Sequence, residues 1–233
     1  MDEEGARVRS DVERELLRLN ERYIVEFIEA FGLCPFSRTA RERGAVVRRV
    51  LWLDRPDPAP VVAFVEGELA ALEAVEVGLV ILPALACPAG AFQHFATEVN
   101  GLHAERAAPA RPAFVLAPFH PGASYSDASG ARLVPFFRRT PDPTLQFVRL
   151  AVLDRIHSQR PRGTRFFDGT VEAWQALGGE PPPPSVTEQI TESNFRLARE
   201  GGQLAKMRAV LDDIFAERAA LGGRFGLSST VDP

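Results

Sequence analysis

The chain has 233 residues, of which 45% are hydrophobic and 25% charged, and its formal net charge at pH 7 is −4. This composition is typical of a soluble globular protein, and the weakly acidic charge gives no general reason to expect nucleic acid as a partner. The charged start resembles no signal peptide, and the longest apolar run is too short to span a bilayer. The two cysteines form no CxxC pair. We therefore expect a cytoplasmic protein.

Apolar residues at helical spacing predict an amphipathic helix over residues 8–31, which ends at Gly32. Pro35 suits the first position of a further helix, which we expect over residues 35–43. Cys34 would then lie at or beside its N-cap, where the helix dipole favours a thiolate. The alternative is a buried cysteine that only packs.

Strands and helices alternate in the next part of the chain. We expect strands at 46–53, 77–82 and 113–117, separated by helices at 60–75 and 88–103. This order predicts parallel strands joined by right-handed crossovers. The expected fold class is therefore α/β, with a small, mainly parallel sheet of three or more strands flanked by helices.

Helices and loops are expected after the third strand. In chain order these are a loop at 121–135, an extended basic segment at 136–143, a helix at 143–160, a short helix at 170–177, and two helices at 185–199 and 203–221. We thus expect an α/β domain over residues 1–180, including the N-terminal helix. A C-terminal helical segment, 185–222, either packs on that domain or docks a partner.

Several reactive side chains follow the ends of predicted strands. Cys87 and His120 come after the second and third strands, and Asp54 follows the first. Ligands of α/β sheets gather beyond the carboxyl ends of the strands. Since the helix beside Cys34 leads back into the first strand, we expect Cys34, Cys87 and His120 to meet at one rim, with Asp54 as a fourth candidate.

These residue types support more than one chemistry. Cys34 and His120 could act as a nucleophile and its base. They could equally bind a transition metal, with Cys87 or a carboxylate as a third ligand. Each cysteine precedes a proline, and such a pair can also present a thiolate to haem. Arg138 and Arg139 could bind an anionic substrate, or simply be solvated surface residues.

Three stretches, GLCPFSR at 32–38, VLAPFHP at 115–121 and FFRRTPDPTLQFVRL at 136–150, resemble a bacterial family catalogued as domain of unknown function 1415. A fourth, ITESNFRLARE at 190–200, is similar to a helix of that family. The resemblance marks ten positions: Cys34, Pro35, Phe36, His120, Pro121, Arg139, Pro141, Pro143, Arg149 and Asn194. It implies no established activity.

Three positions depart from the family pattern. Phe137, Gln146 and Leu150 stand where the family usually has asparagine, histidine and glutamate. If those side chains carry chemistry in relatives, the resemblance implies that the chemistry is altered or lost here.

The leading hypothesis is an enzyme that acts on a small anionic metabolite through Cys34 and His120. Three arginines would bind the substrate: Arg138, Arg139 and Arg149. The second hypothesis is a metal- or haem-binding protein in which Cys34 is the thiolate ligand. The third is a non-enzymatic binding module that docks through residues 185–221, either to a partner or to a second copy in a homo-oligomer. We expect a small-molecule ligand and neither nucleic acid nor membrane.

Overall fold

The computed structural model describes residues 3–158 and 186–225, and in this part of the chain eight α-helices surround a four-stranded sheet. The strands are β1 (Val46–Val50), β2 (Val77–Ile81), β3 (Phe114–Phe119) and β4 (Thr144–Arg149). The helices are α1 (Glu3–Arg22), α2 (Ser37–Glu42), α3 (Pro58–Phe64), α4 (Ala89–Ala107), α5 (Gly130–Phe137), α6 (Leu150–Ser158), α7 (Val186–Arg199) and α8 (Gln203–Phe225). Helices α1 and α3 continue as π-helical turns at Tyr23–Glu29 and Val65–Leu69.

The sheet is mixed, with strand order β1-β2-β4-β3. Strands β1 and β2 are parallel, whereas β4 is antiparallel to both β2 and β3. The expected α/β class is confirmed, but the expectation of a mainly parallel sheet is wrong. Strands β1, β2 and β3 all run in the same direction, and β4 separates the last two of them.

Strand β4 occupies the start of the helix that we expected at 143–160. Leu145 and Phe147 are buried on one face of the sheet, in a two-residue alternation. Leu145, Val148 and Val152 also recur at helical spacing, so the apolar pattern fits both structures. The strand is favoured because its backbone N–H and C=O groups pair with neighbours on both sides. Helical structure in this region begins only at Leu150, the first residue of α6.

Helix α5 replaces the end of the expected loop and the start of the extended segment. The Ser129 hydroxyl caps it by accepting a hydrogen bond from the backbone N–H of Arg132, at 3.4 Å. Leu133 and Phe136 are fully buried on its inner side. Pro135 lies inside this helix. The extended segment was predicted because residues that precede a proline avoid helical conformation, and this rule was applied too broadly before Pro141 and Pro143.

Each face of the sheet is covered by its own hydrophobic core. The first core lies between the sheet and α1, α5 and α8, and it includes Leu16, Phe27, Ile81, Phe136 and Ile214. The second core lies between the sheet and α3 and α4, and it includes Val61, Val80, Phe92, Phe114 and Phe147. No helix of the described residues is long and apolar enough to cross a membrane.

The two C-terminal helices predicted from the sequence are present as α7 and α8. Gly201 and Gly202 separate them, with φ angles of +51° and +76° that favour glycine. In α8, Met207, Leu211 and Ile214 belong to the first core. The short helix expected at 170–177 lies outside the described residues.

A buried ion pair also fixes α8 to the sheet edge. Arg218 Nε donates to Asp142 Oδ1 at 2.7 Å, and the two residues are 5% and 1% exposed. The hydroxyls of Thr140 and Thr144 both donate to the backbone carbonyl of Asp142, at 2.7 and 2.9 Å. Burial raises the pKa of the Asp142 carboxyl, and the Arg218 guanidinium opposes that rise.

Substituting Gly78→Ala should destabilise the protein, because an added Cβ would lie 2.4 Å from Leu69 Cδ2. Leu69 is fully buried beneath the sheet, so it has little room to move. We expect the free energy of unfolding to fall by about 1–3 kcal/mol in chemical denaturation. The control is Gly101→Ala on α4, where no atom lies within 4 Å and the stability should not decrease.

Substituting Arg218→Met should reduce the free energy of unfolding by about 3–5 kcal/mol, because it leaves the Asp142 carboxylate buried without a partner. Adding Asp142→Asn should recover at least about 1 kcal/mol, since the amide removes the unpaired charge. Arg224→Met, at an exposed position of α8, is the control for loss of an arginine. A double variant no more stable than Arg218→Met would contradict this account of the pair.

Candidate functional site

The carboxyl ends of β1, β2 and β3 meet at one edge of the sheet, where β4 begins. Thr144, the first residue of β4, pairs with Ile81 of β2 and Phe119 of β3. His120 follows β3 directly and contacts the turn after β2 through the carbonyl of Cys87. Topology therefore brings Cys87 and His120 together, as the strand order led us to expect. Asp54 is exposed beyond β1.

The His120 imidazole is 5% exposed, and backbone groups bind both of its nitrogens. The N–H of Gly122 donates to Nδ1 at 3.1 Å, and Nε2 lies 3.0 Å from the carbonyl oxygen of Cys87. In the neutral ring Nδ1 is thus the acceptor and Nε2 the donor. Burial lowers the pKa of His120, although the bond to Cys87 raises it. A neutral imidazole therefore links the end of β3 to the Cys87 turn.

Cys34 is half-buried in a short connection, residues 32–36, that we call the Cys34 loop. Gly32, with φ +65°, ends the preceding π-helical turns. The carbonyl of Cys34 accepts a hydrogen bond from Ser37 N–H at 3.3 Å. Helix α2 begins at Ser37 and its N-cap is Phe36, so it starts two residues later than we expected. Cys34 therefore lies two residues before the N-cap, and the expectation that it would lie at or beside the N-cap is wrong.

Side chains on both flanks hold the Cys34 loop. The buried Glu29 carboxylate accepts hydrogen bonds from Ser37 Oγ at 3.1 Å and from Arg41 Nη2 at 2.8 Å. Arg41 lowers the pKa of Glu29 through these bonds, against the effect of burial. On the other side Asn194 Nδ2, on α7, donates to the carbonyl of Leu33 at 2.9 Å. The loop therefore has one anchor on the π-helical turns and one on α7.

Tyr23 brings the environments of Cys34 and Arg138 together. Its buried hydroxyl donates to the carbonyl of Phe137 at 2.6 Å, immediately before Arg138. Burial raises the pKa of the Tyr23 hydroxyl, while the Arg138 guanidinium lowers it and Cys34 raises it. The thiol and the guanidinium thus lie within electrostatic range of the same hydroxyl. The backbone N–H of His120 also donates to the carbonyl of Arg138, at 3.0 Å.

Cys34 and His120 reach this edge from different sides. Leu33, which directly precedes Cys34 in the chain, belongs to the first core. The His120 ring instead packs against Phe92 of the second core, with ring centroids 5.4 Å apart. No hydrogen bond joins Cys34 to His120 in residues 3–158 and 186–225. Cys34 and the imidazole thus share no hydrogen bond in the described residues, whereas Cys34 and Arg138 both act electrostatically on the Tyr23 hydroxyl.

Two of the three predicted substrate-binding arginines bind the protein's own backbone. Arg139 Nε donates to the carbonyl of Pro121 at 2.7 Å. Arg149 donates to the carbonyls of Val75 and Leu72 at 2.7 and 2.9 Å, beyond the π-helical turns that follow α3. Both guanidiniums therefore connect separate segments of the chain.

Arg138 differs from the other two arginines. Its guanidinium is half-buried and lies 5.7 Å from the centroid of the Phe119 ring. Burial lowers its pKa, partly offset by Tyr23. No carboxylate of the described residues lies within ion-pairing distance, and no hydrogen bond from the guanidinium to these residues is formed. Of the three predicted arginines, Arg138 is therefore the one whose guanidinium forms no hydrogen bond or ion pair with the described residues.

The described residues contain no group of three His, Cys, Asp or Glu side chains that could hold a metal ion. Cys34, His120 and Cys87 accordingly do not form such a group. The Cys87 thiol is half-buried and packs against the second core, where burial raises its pKa.

Two surface cavities lie away from these residues. The larger, about 760 Å³, lies between α5 and α7, and the smaller, about 360 Å³, is lined by residues of α5, α7 and α8 together with Asp127. Neither is lined by a cysteine or a histidine, so neither offers a thiol or an imidazole. We therefore place the candidate site at Cys34 and Arg138 on their chemistry.

Sequence reasoning missed two residues that shape this site, Tyr23 and Glu29. Both lie within the apolar pattern of the first predicted helix, yet both are buried and hydrogen-bonded. A polar residue inside such a pattern is the signal that could have identified them, because a buried polar group needs a partner.

The buried neutral state of His120 predicts a loss of stability in mild acid. Its folded-state pKa lies below the unfolded value of about 6.5, so the unfolded chain binds a proton that the folded protein does not. The free energy of unfolding should therefore fall as the pH drops below about 6.5. Denaturation between about pH 5.5 and 7.5 tests this, and His120→Gln should flatten the dependence. His94→Gln, at an exposed position, should retain the wild-type slope.

The stretches singled out in the sequence meet in the folded chain. Asn194 joins the fourth stretch to Leu33 of the first, and the backbone bond between His120 and Arg138 joins the second to the third. Comparison with curated proteins and with solved structures gave no match. A model of the family described as protein of unknown function, DUF1415, matches residues 16–181, more than half of the chain. The chain belongs to this family.

Proposed function

We propose that the protein is an enzyme that acts on a small anionic metabolite, with Cys34 as the nucleophile and Arg138 as the anion-binding side chain. The observation that supports this most is the half-buried guanidinium of Arg138, which has no carboxylate partner among the described residues. Both this guanidinium and Cys34 act electrostatically on the Tyr23 hydroxyl, which donates to the carbonyl of Phe137 directly before Arg138.

The electrostatic environment of Arg138 favours an anionic ligand. Burial lowers the pKa of its guanidinium, but arginine remains protonated in proteins. The side chain therefore carries a partly desolvated positive charge that an anion would stabilise. A guanidinium offers a planar pair of donors that fits a carboxylate or a phosphate group. The Phe119 ring beneath it would restrict the orientation of that pair.

Cys34 supplies the reactive atom in this proposal. A cysteine attacks as its thiolate, so the Sγ would form a bond to an electrophilic atom of the substrate while the leaving group departs with its electron pair. An anionic group bound by Arg138 would hold that atom near Sγ, which increases the rate by orientation. The Tyr23 hydroxyl already donates to Phe137, so its role is to support the site.

His120 enters the proposal as a positioning residue. Its backbone N–H binds the carbonyl of Arg138, while its ring ties β3 to the Cys87 turn. An acid–base role for the imidazole would require breaking one of its two bonds to the backbone. Its effect on Cys34 is therefore expected to pass through the placement of Arg138.

Two alkylating reagents test the proposal, because iodoacetate is an anion and iodoacetamide is its neutral analogue. In a Cys87→Ala variant the alkylation rate of Cys34 is measured with each reagent and divided by the rate of that reagent with a small thiol. The normalised rate should be higher for iodoacetate than for iodoacetamide. Arg138→Gln should lower the iodoacetate rate about tenfold, the factor that corresponds to about 1.4 kcal/mol. The iodoacetamide rate should change by less than about twofold.

Arg38→Gln is the matched control for loss of one positive charge near Cys34. Its side chain is 63% exposed and 3.8 Å from Glu29, so its charge should have little effect at the site. If Arg38→Gln and Arg138→Gln lowered the iodoacetate rate equally, the preference for the anionic reagent would come from the general surface charge and not from a specific site at Arg138. That result, or a wild-type protein without any preference for iodoacetate, would contradict the proposed function.

A further inference from the structure

Helix α7 contacts both elements that carry the proposed reactive groups. Asn194 of α7 donates to the carbonyl of Leu33, at the start of the Cys34 loop. On its other side α7 packs so closely on α5 that a Cβ on Gly130 would lie 3.1 Å from Thr191 Cγ2. Helix α5 ends at Phe137, directly before Arg138. Helix α7 therefore connects the segment with the thiol to the segment with the guanidinium.

The bond from Asn194 acts on the peptide that leads into Cys34. The carbonyl of Leu33 and the N–H of Cys34 belong to one planar peptide unit, so holding the oxygen also fixes the orientation of the next residue. No backbone N–H of the described residues donates to the Leu33 carbonyl. Asn194 is 8% exposed, and its carboxamide supplies the hydrogen bond that this carbonyl needs.

The rest of α7 packs against the first core through Phe195, Leu197 and Ala198. Its buried residues in the described part of the chain are Asn194 and Ala198. Beyond its end, Gly201 and Gly202 have positive φ angles and allow the chain to turn into α8. Asn194 thus supplies a polar contact between α7 and the Cys34 loop, and through it the helix can influence the orientation of the Cys34 peptide.

We propose that Asn194 is a positioning residue for Cys34, and that α7 sets the placement of the thiol relative to Arg138. This inference rests on the proposed function, because it assigns Asn194 to that same site. Asn194 lies beyond residues 16–181, the stretch that the family model matches. The carboxamide does not touch the substrate in this account, and it acts through the Leu33 carbonyl alone.

The two alkylation rates of the full-length Cys87→Ala protein also test this inference. Asn194→Leu keeps the approximate shape of the side chain but removes the donor. It should reduce the preference of Cys34 for iodoacetate over iodoacetamide about fivefold, the factor expected for one net hydrogen bond. Asn194→Ser, whose hydroxyl is too short to replace the carboxamide, should act in the same direction if the leucine variant does not fold.

Phe195→Ala is the matched control, since Phe195 is the next residue of α7 and packs against the first core. It should lower the thermal stability but retain the wild-type preference between the reagents. An equal loss of preference in Phe195→Ala and in the Asn194 variants would show that only the docking of α7 matters, and would overturn the inference. Unchanged preference in both Asn194 variants would also overturn it.

These outcomes separate the inference from the proposed function. A preference that Arg138→Gln abolishes and the Asn194 variants retain would leave the function standing and refute the role of Asn194. A wild-type protein with no preference for iodoacetate would refute both.

Discussion

The pairing of β4 between β2 and β3 is the constraint on which the rest of the structure depends. Because β4 runs against its two neighbours, the chain must pass along the carboxyl edge of the sheet before entering it. Arg138 and Asp142 lie in this passage, between α5 and β4. One backbone hydrogen bond then ties Arg138 to His120 at the end of β3. The position of β4 thus determines where Arg138 lies relative to His120.

Two arginines at this edge show how an acidic partner changes the role of a partly buried charge. Arg218 is paired with Asp142 in the interior, and removal of either partner would leave an uncompensated charge. Arg138 has an aromatic ring beneath it and no carboxylate beside it in the described part of the chain. The first charge fixes α8 to the sheet, whereas the second is the charge that the proposed function assigns to an anionic ligand.

Much of the fold could be predicted because its signals are local. Turn residues and apolar spacing indicated the first three strands, and Gly201 and Gly202 marked the break between α7 and α8. Strand β4 and helix α5 could not be predicted in this way. The apolar pattern of β4 fits a helix equally well, and only two neighbouring strands decide in favour of the strand.

The sequence by itself determined the α/β class, the common direction of β1, β2 and β3, and the edge at which Cys87 and His120 meet. It also singled out Cys34 and Arg138 by residue type. Only the tertiary structure decided that the His120 ring packs against the second core, while Leu33, directly before Cys34, packs in the first. The tertiary structure also decided that the guanidiniums of Arg139 and Arg149 bind backbone carbonyls, whereas that of Arg138 binds none in the described residues. The reason is physical: residue type sets which bonds a side chain can make, but the packed neighbours decide which are already made.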